Sequence, residues 1–178
     1  MRAPIFLTTA SLACVAALSP ALEARADDYV QTNLVSSVSG LAPITDSNLR
    51  NPWGMSDLGG SPFWISDQAT NVSTLYSVSN GVTSLIPLVV SIPTTASGPQ
   101  GPTGQVASGP AGAFTLNGSP ALFIFANLNG TISAWNGVGT TATIVAATPA
   151  AIYTGLAINA GKTMLFGANS ATGSVPFF

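Results

Sequence analysis

Charge is what this chain has least of. Its 178 residues include four Lys or Arg and six Asp or Glu, or 6% charged, against roughly 25% in an ordinary soluble domain. Histidine is absent and there is one cysteine. Few cations means little capacity to neutralise phosphates, so nucleic acid is excluded as a partner. Histidine-based catalysis and histidine-ligated metal sites are excluded outright. A coiled coil or long helical bundle would need many more Glu, Lys and Arg. Disorder conflicts with 47% hydrophobic residues and a net charge of −2. Uncharged polarity stands where charge is missing: 19 Thr, 20 Ser and 11 Asn, with 18 Gly and 13 Pro.

The first segment reads as an export signal. Arg2 supplies a positive start, Ile5 to Leu18 an apolar stretch, Pro20 a break, and Ala24-Arg25-Ala26 a small-x-small cleavage site. Cleavage after Ala26 is expected, giving a signal peptide over 1–26 and a mature chain over 27–178; a cut after Ala21 is the weaker alternative. The apolar run is short of the roughly 20 residues a membrane span requires. Cys14 lacks the Leu three residues earlier that lipoprotein processing uses. A secreted protein, periplasmic or extracellular, is therefore expected, with no transmembrane segment after cleavage. The mature chain contains no cysteine, so no disulfide can staple it.

The mature chain predicts an all-β fold. Short β-branched and aromatic runs alternate with Gly, Pro, Asn and Ser, as in Phe63–Ser66, Leu88–Ile92, Leu122–Ala126, Thr131–Trp135 and Thr143–Ala146. Their order recurs. A glycine-centred strand comes first, around Gly54, Gly104 and Gly155, spaced by 50 and 51 residues. A second strand then ends on Asp67, Asn127 or Asn169, and a polar turn leads into a third. A period near 50 with four short strands per unit indicates β-propeller-type blades. The alternative is a β-sandwich, in which the spacing is coincidental. The blades are placed at about residues 51–95, 102–148 and 153–178, with Pro93 to Pro102 as the loop between the first two. The glycines are assigned to the innermost strands, where converging blades approach closely.

About two and a half blades do not close a propeller, which needs four to eight. The sequence is accordingly expected to be a portion of a longer, truncated propeller, with an open blade edge available for self-association.

Chemistry-bearing residues are few. In the mature chain the carboxylates are Asp27, Asp28, Asp46, Asp57 and Asp67. Asp57 sits in a turn, and no His or Cys can partner a serine nucleophile, so no catalytic residue is assigned. The candidate ligand-binding positions are Asp46, Asn51, Trp53 and Asp67. Asp46, in Thr45-Asp46-Ser47-Asn48, suits either a Ca²⁺ contact or an Asx turn; it lacks the alternating acids of a calcium loop, and no metal site is assigned. Asp67, Asn127 and Asn169 recur in every unit and are expected to hold the turns. Trp53 can stack on a sugar or pack between blades.

A family resemblance runs through the same residues. Tyr29 to Ser36, Thr45-Asp46-Ser47-Asn48-Leu49, Asn51-Pro52-Trp53-Gly54-Met55, Pro62 to Asp67, Pro102-Thr103-Gly104-Gln105, Gly130 to Trp135 and Tyr153-Thr154-Gly155-Leu156-Ala157 occur in order. Together they resemble an uncharacterised family of secreted bacterial β-propeller-like proteins, some with a PEP-CTERM-type sorting tail. The resemblance implies a longer protein and, more distantly, the NHL and gluconolactonase-type propellers, an analogy of fold alone. The leading expectation is a non-catalytic propeller that binds a protein or carbohydrate. The alternatives are a metal-dependent lactonase- or lyase-like enzyme whose full-length form carries the site, and a fragment without independent function.

Overall fold

The structure, a computed structural model, describes residues 30–178, and Thr32–Phe178 form one compact unit. The proposed signal peptide lies outside the described residues. No helix among the described residues is long and apolar enough to cross a membrane. The fold is all-β, in several small antiparallel sheets. Strands β1 (Val35–Ser36) and β2 (Ile44–Thr45) form a short parallel pair. The first four-stranded sheet is a meander of β3 (Pro52–Ser56), β4 (Phe63–Asp67), β5 (Val72–Ser79) and β6 (Val82–Ser91), in that order.

The second sheet has the same meander, with one insertion. It runs through β7 (Pro102–Ala107), then a small hairpin of β8 (Thr115–Leu116) and β9 (Ser119–Pro120), then β10 (Phe123–Asn127), β11 (Thr131–Trp135) and β12 (Thr143–Ala147). The third sheet pairs β13 (Tyr153–Ile158) with β14 (Leu165–Asn169), and residues 174–178 add bridges from Phe177 to Phe166 and from Ser174 to Asn169. The described residues form no closed propeller.

Two differences from the sequence reading have local causes. The fourth strand of the first sheet starts at Val82, not Leu88, because Asn80-Gly81 take positive φ of 49° and 77° and close a two-residue hairpin. The inserted β8–β9 hairpin turns likewise on Asn117-Gly118, at φ 52° and 77°. Its strands are two residues long, too short for any alternation to announce them.

The sheets stack in series, and alternation decides what lies between them. Trp64 and Leu75 of the first sheet pack on Phe123, Phe125 and Trp135 of the second. Trp64 stacks on Phe123 with centroids 4.0 Å apart and meets Trp135 at 4.9 Å. The opposite face of the second sheet, with Val106, Ile124, Ile132 and Ala134, packs on Tyr153 and Leu165 of the third. Tyr153 meets Phe178 edge-on at 6.0 Å. Each of β10 and β11 is buried along its full length, as expected of strands covered on both faces.

The first strand of each unit abuts the next. A Cβ added to Gly54 would lie 2.5 Å from the Thr103 carbonyl oxygen and 2.8 Å from the Gln105 nitrogen. One added to Gly104 would lie 2.6 Å from the carbonyl carbon of Gly155 and collide with the Leu156 nitrogen. Both glycines thus sit where backbone meets backbone and no side chain fits. Polar side chains complete the junctions. The Thr103 hydroxyl donates to the Tyr153 carbonyl at 2.7 Å, and Gln105 Nε2 donates to the carbonyls of Trp64 and Gly54.

Candidate functional site

One rim of the stack carries most of the chemistry. Here the chain enters the first strand of each sheet and turns between the second and third. A backbone bond repeats at this rim in all three units. The N–H of the residue after Asp67, Asn127 or Asn169 donates to the carbonyl just ahead of β3, β7 or β13. These bonds are Gln68 to Asn51 at 3.3 Å, Leu128 to Gly101 at 3.0 Å and Ser170 to Ile152 at 2.9 Å. The repeat fixes the turn against the incoming strand and aligns the three rims.

Side-chain amides run along this rim from the first sheet to the second. Asn51 Nδ2 donates to Gln68 Oε1 at 2.7 Å, and Gln68 Nε2 donates to the Gln100 carbonyl at 2.6 Å. Asn129 Nδ2 donates to Gln100 Oε1 at 3.1 Å, and Asn129 Oδ1 accepts from the Thr131 hydroxyl at 2.6 Å. Gly101 permits the crossing: at φ 100° it lies so close to Gln68 that a Cβ would be 2.9 Å from the Gln68 carbonyl carbon. Trp53, one residue into β3, keeps 46% of its surface exposed. Asn51 is exposed and left-handed, at φ 49°.

Asp46 and Asp67 are buried, Asp46 in the β1–β2 segment that forms a cover over the first sheet and Asp67 at the end of β4. Asp46 Oδ1 accepts from the Asn48 N–H at 2.8 Å, closing an Asx turn, and Oδ2 accepts from the Tyr76 hydroxyl at 2.8 Å. The second bond ties the β1–β2 segment to β5. Burial pushes the Tyr76 phenol above its ordinary pKa, with Thr74 opposing and the Asp46 carboxylate adding to the rise. Tyr76 therefore stays protonated and donates.

Asp67 is fully buried. Its Oδ2 accepts from the Thr74 hydroxyl at 2.7 Å, while Oδ1 has no hydrogen-bond partner. Burial raises its pKa from 3.8 to about 7; the Thr74 bonds lower it, and nearby Asp46 raises it further. Desolvation dominates because one Thr hydroxyl cannot replace the hydration of a carboxylate.

The three repeated strand-end residues do different work. Asn169 Oδ1 accepts from Ala171, two residues on, and from Ile152, both at 3.1 Å. Asn127 instead uses its Nδ2 to reach Thr131 and Ser133 across the hairpin. Asp67 reaches across to Thr74. Asn51 and Trp53 are exposed at the start of the first sheet, Asp67 is buried at the end of β4, and Asp46 is held against Tyr76. Among the described residues no three His, Cys, Asp or Glu side chains gather to hold a metal.

Gln68 and Gln100 were not singled out by the sequence reading. A Gln in a loop has no periodic signature, and the two reach each other and Asn129 only because the sheets stack. A second feature also emerges only in three dimensions. A groove of about 490 Å³ lies between the cover and the first sheet, bordered by Leu34, Leu49, Met55, Phe63, Tyr76 and Val78 among others. A scan of protein-family models and a search of curated proteins gave no match to this chain.

Proposed function

We propose that the chain is the exported, non-catalytic part of a β-propeller-type array that binds a neutral glycan at the rim bearing Trp53. The observation that carries this reading is the half-exposed Trp53, two residues after Asn51, the first member of the amide row Asn51–Gln68–Gln100–Asn129. An indole offers an apolar face for a sugar ring. Amides offer both donors and acceptors to hydroxyls without the desolvation cost of a charge. The internal bonds of the row hold it in place before a ligand arrives, which limits the ordering cost of binding. The repeated rim bond, the glycine junctions and the serial stacking support the propeller-type reading. The N-terminal export signature and the ordered motifs shared with secreted bacterial propeller-like proteins support the location.

The test is a glycan array with the purified chain, followed by calorimetry on any glycan it retains. Trp53→Ala should weaken binding at least about tenfold, roughly 1.4 kcal/mol, without lowering the melting temperature. The proposal fails if no neutral glycan is retained, or if Trp53→Ala and Asn51→Ala bind as well as the wild type.

A further inference from the structure

The amide row has two different ends, and the difference narrows what the rim can recognise. At each link a backbone group fixes which way an amide faces. Gln68 Nε2 donates to the Gln100 carbonyl, so Gln68 Oε1 faces Asn51 and takes its Nδ2. Gln100 Oε1 accepts from the Thr95 N–H at 2.9 Å, and Asn129 Oδ1 accepts from the Thr131 N–H at 3.2 Å. Asn129 therefore turns Nδ2 to Gln100. A backbone carbonyl cannot donate and a backbone N–H cannot accept, so flipping any of these amides breaks a bond.

What remains free follows from the inventory of a primary amide, which has two N–H donors and an oxygen with two lone pairs. Gln100 has nothing left. Its Oε1 accepts from Thr95 and Asn129, and its Nε2 is held by oxygens of Thr95, Ser97 and Gly98. Asn129 Oδ1 is filled by the N–H and hydroxyl of Thr131, which leaves one N–H of Nδ2. At the other end Asn51 keeps a free N–H and a free Oδ1. The first-sheet end thus offers donor and acceptor, and the second-sheet end offers a donor alone. Asn51 is exposed and Asn129 partly exposed, so a ligand can reach both ends.

Resting on the glycan reading of this rim, we propose that the sugar it takes is N-acetylated, with the acetamido carbonyl oxygen accepting from Asn129 Nδ2. A hydroxyl at that end accepts the N–H but brings a hydrogen of its own that the row cannot receive. A carbonyl oxygen accepts without donating, and an amide carbonyl is a stronger acceptor than an ester. A carboxylate also only accepts, but one neutral N–H does not offset the desolvation of a charge. The two basic residues of the described chain lie elsewhere. Arg50 precedes Asn51 at the first-sheet end, and Lys162 is in the turn after β13, at the opposite rim. Ring hydroxyls, which donate and accept, suit the Asn51 end.

Calorimetry of the purified chain tests this, with tetramers of β-1,4-linked N-acetylglucosamine, β-1,4-linked glucose and α-1,4-linked galacturonic acid. The first two differ only in the group on C2. The N-acetylglucosamine tetramer should bind at least about tenfold tighter than the glucose tetramer, and the galacturonate no tighter than glucose. Asn129→Asp puts an oxygen where the free N–H was and should cut that preference to under about threefold. Asn51→Asp alters the other end and should weaken both neutral tetramers alike, keeping the preference. Melting curves confirm that each variant folds, and Asn129→Ala replaces Asn129→Asp if that one does not. Equal binding of the two neutral tetramers overturns the inference and leaves the glycan reading standing. Tighter binding of the galacturonate overturns it in favour of a carboxylate, and a folded Asn129 variant that keeps the preference overturns the assignment to that side chain. Binding of none of the three also overturns it, and the glycan array then decides whether the wider reading falls too.

Discussion

At the scale of single residues, Asp67 is the outlier. Its counterparts in the other two units are amides, Asn127 and Asn169, and all three are buried. A carboxyl there must be neutral to be comfortable. Its folded pKa, about 7, lies above the unfolded 3.8, so the folded state holds a proton that the unfolded state releases between those values. The stability it contributes is therefore full below about pH 4 and is lost as pH rises towards 7. The chain should be less stable at pH 8 than at pH 5, by about 1–3 kcal/mol from this group. Asp67→Asn should flatten that slope and raise the melting temperature at pH 8. Denaturant melts of both proteins at the two pH values decide it; equal slopes would remove Asp67 as the cause.

The strand-end position was legible in the sequence because Asp, Asn and Asn recur at the ends of matching runs. Its differing bonds were not. Whether such a side chain caps a turn, as Asn169 does, or crosses to a neighbouring strand, as Asn127 and Asp67 do, depends on what the hairpin places within reach. The Asx turn at Asp46 was readable because its partner is two residues away. Its bond to Tyr76 spans 30 residues and was not.

At the scale of elements, the junctions between first strands are the points of least tolerance. Gly54→Ala and Gly104→Ala each force a methyl into backbone atoms that cannot rotate away. Each should cost at least the about 1–3 kcal/mol of ordinary overpacking. Gly155→Ala meets only Ala168 and should stay within about 0.5 kcal/mol of wild type. Chemical denaturation of the three variants tests the contrast, and equal costs would show that strand propensity, rather than the close approach, governs these sites. The regular spacing made the glycines visible. What each one faces became visible only when the sheets were stacked. The strand ends show the same division: β4 and β10 end where their Asp and Asn predict, whereas β6 begins six residues before its apolar run because an Asn-Gly hairpin starts it.

At the scale of the whole molecule, serial stacking means each sheet is supported by its neighbours. The second sheet is covered on both faces and should be the last to open. In native-state hydrogen exchange, amides of β10 and β11 should be the most protected, while those of β6, β12 and residues 174–178 should exchange earlier by at least about tenfold, because outer strands carry fewer buried contacts. Uniform protection across the three sheets would mean that the stack opens as one unit.

The sequence by itself determined the strand content, the period of about 50 residues and the scarcity of charge. These follow from local preference and alternation, which each stretch of chain carries alone. The stacking of one sheet on the next, the amide row along the rim and the buried carboxyl at Asp67 were decided by tertiary structure. Each depends on residues tens of positions apart arriving at contact distance, and no local pattern records which surface the chain will bring to meet another.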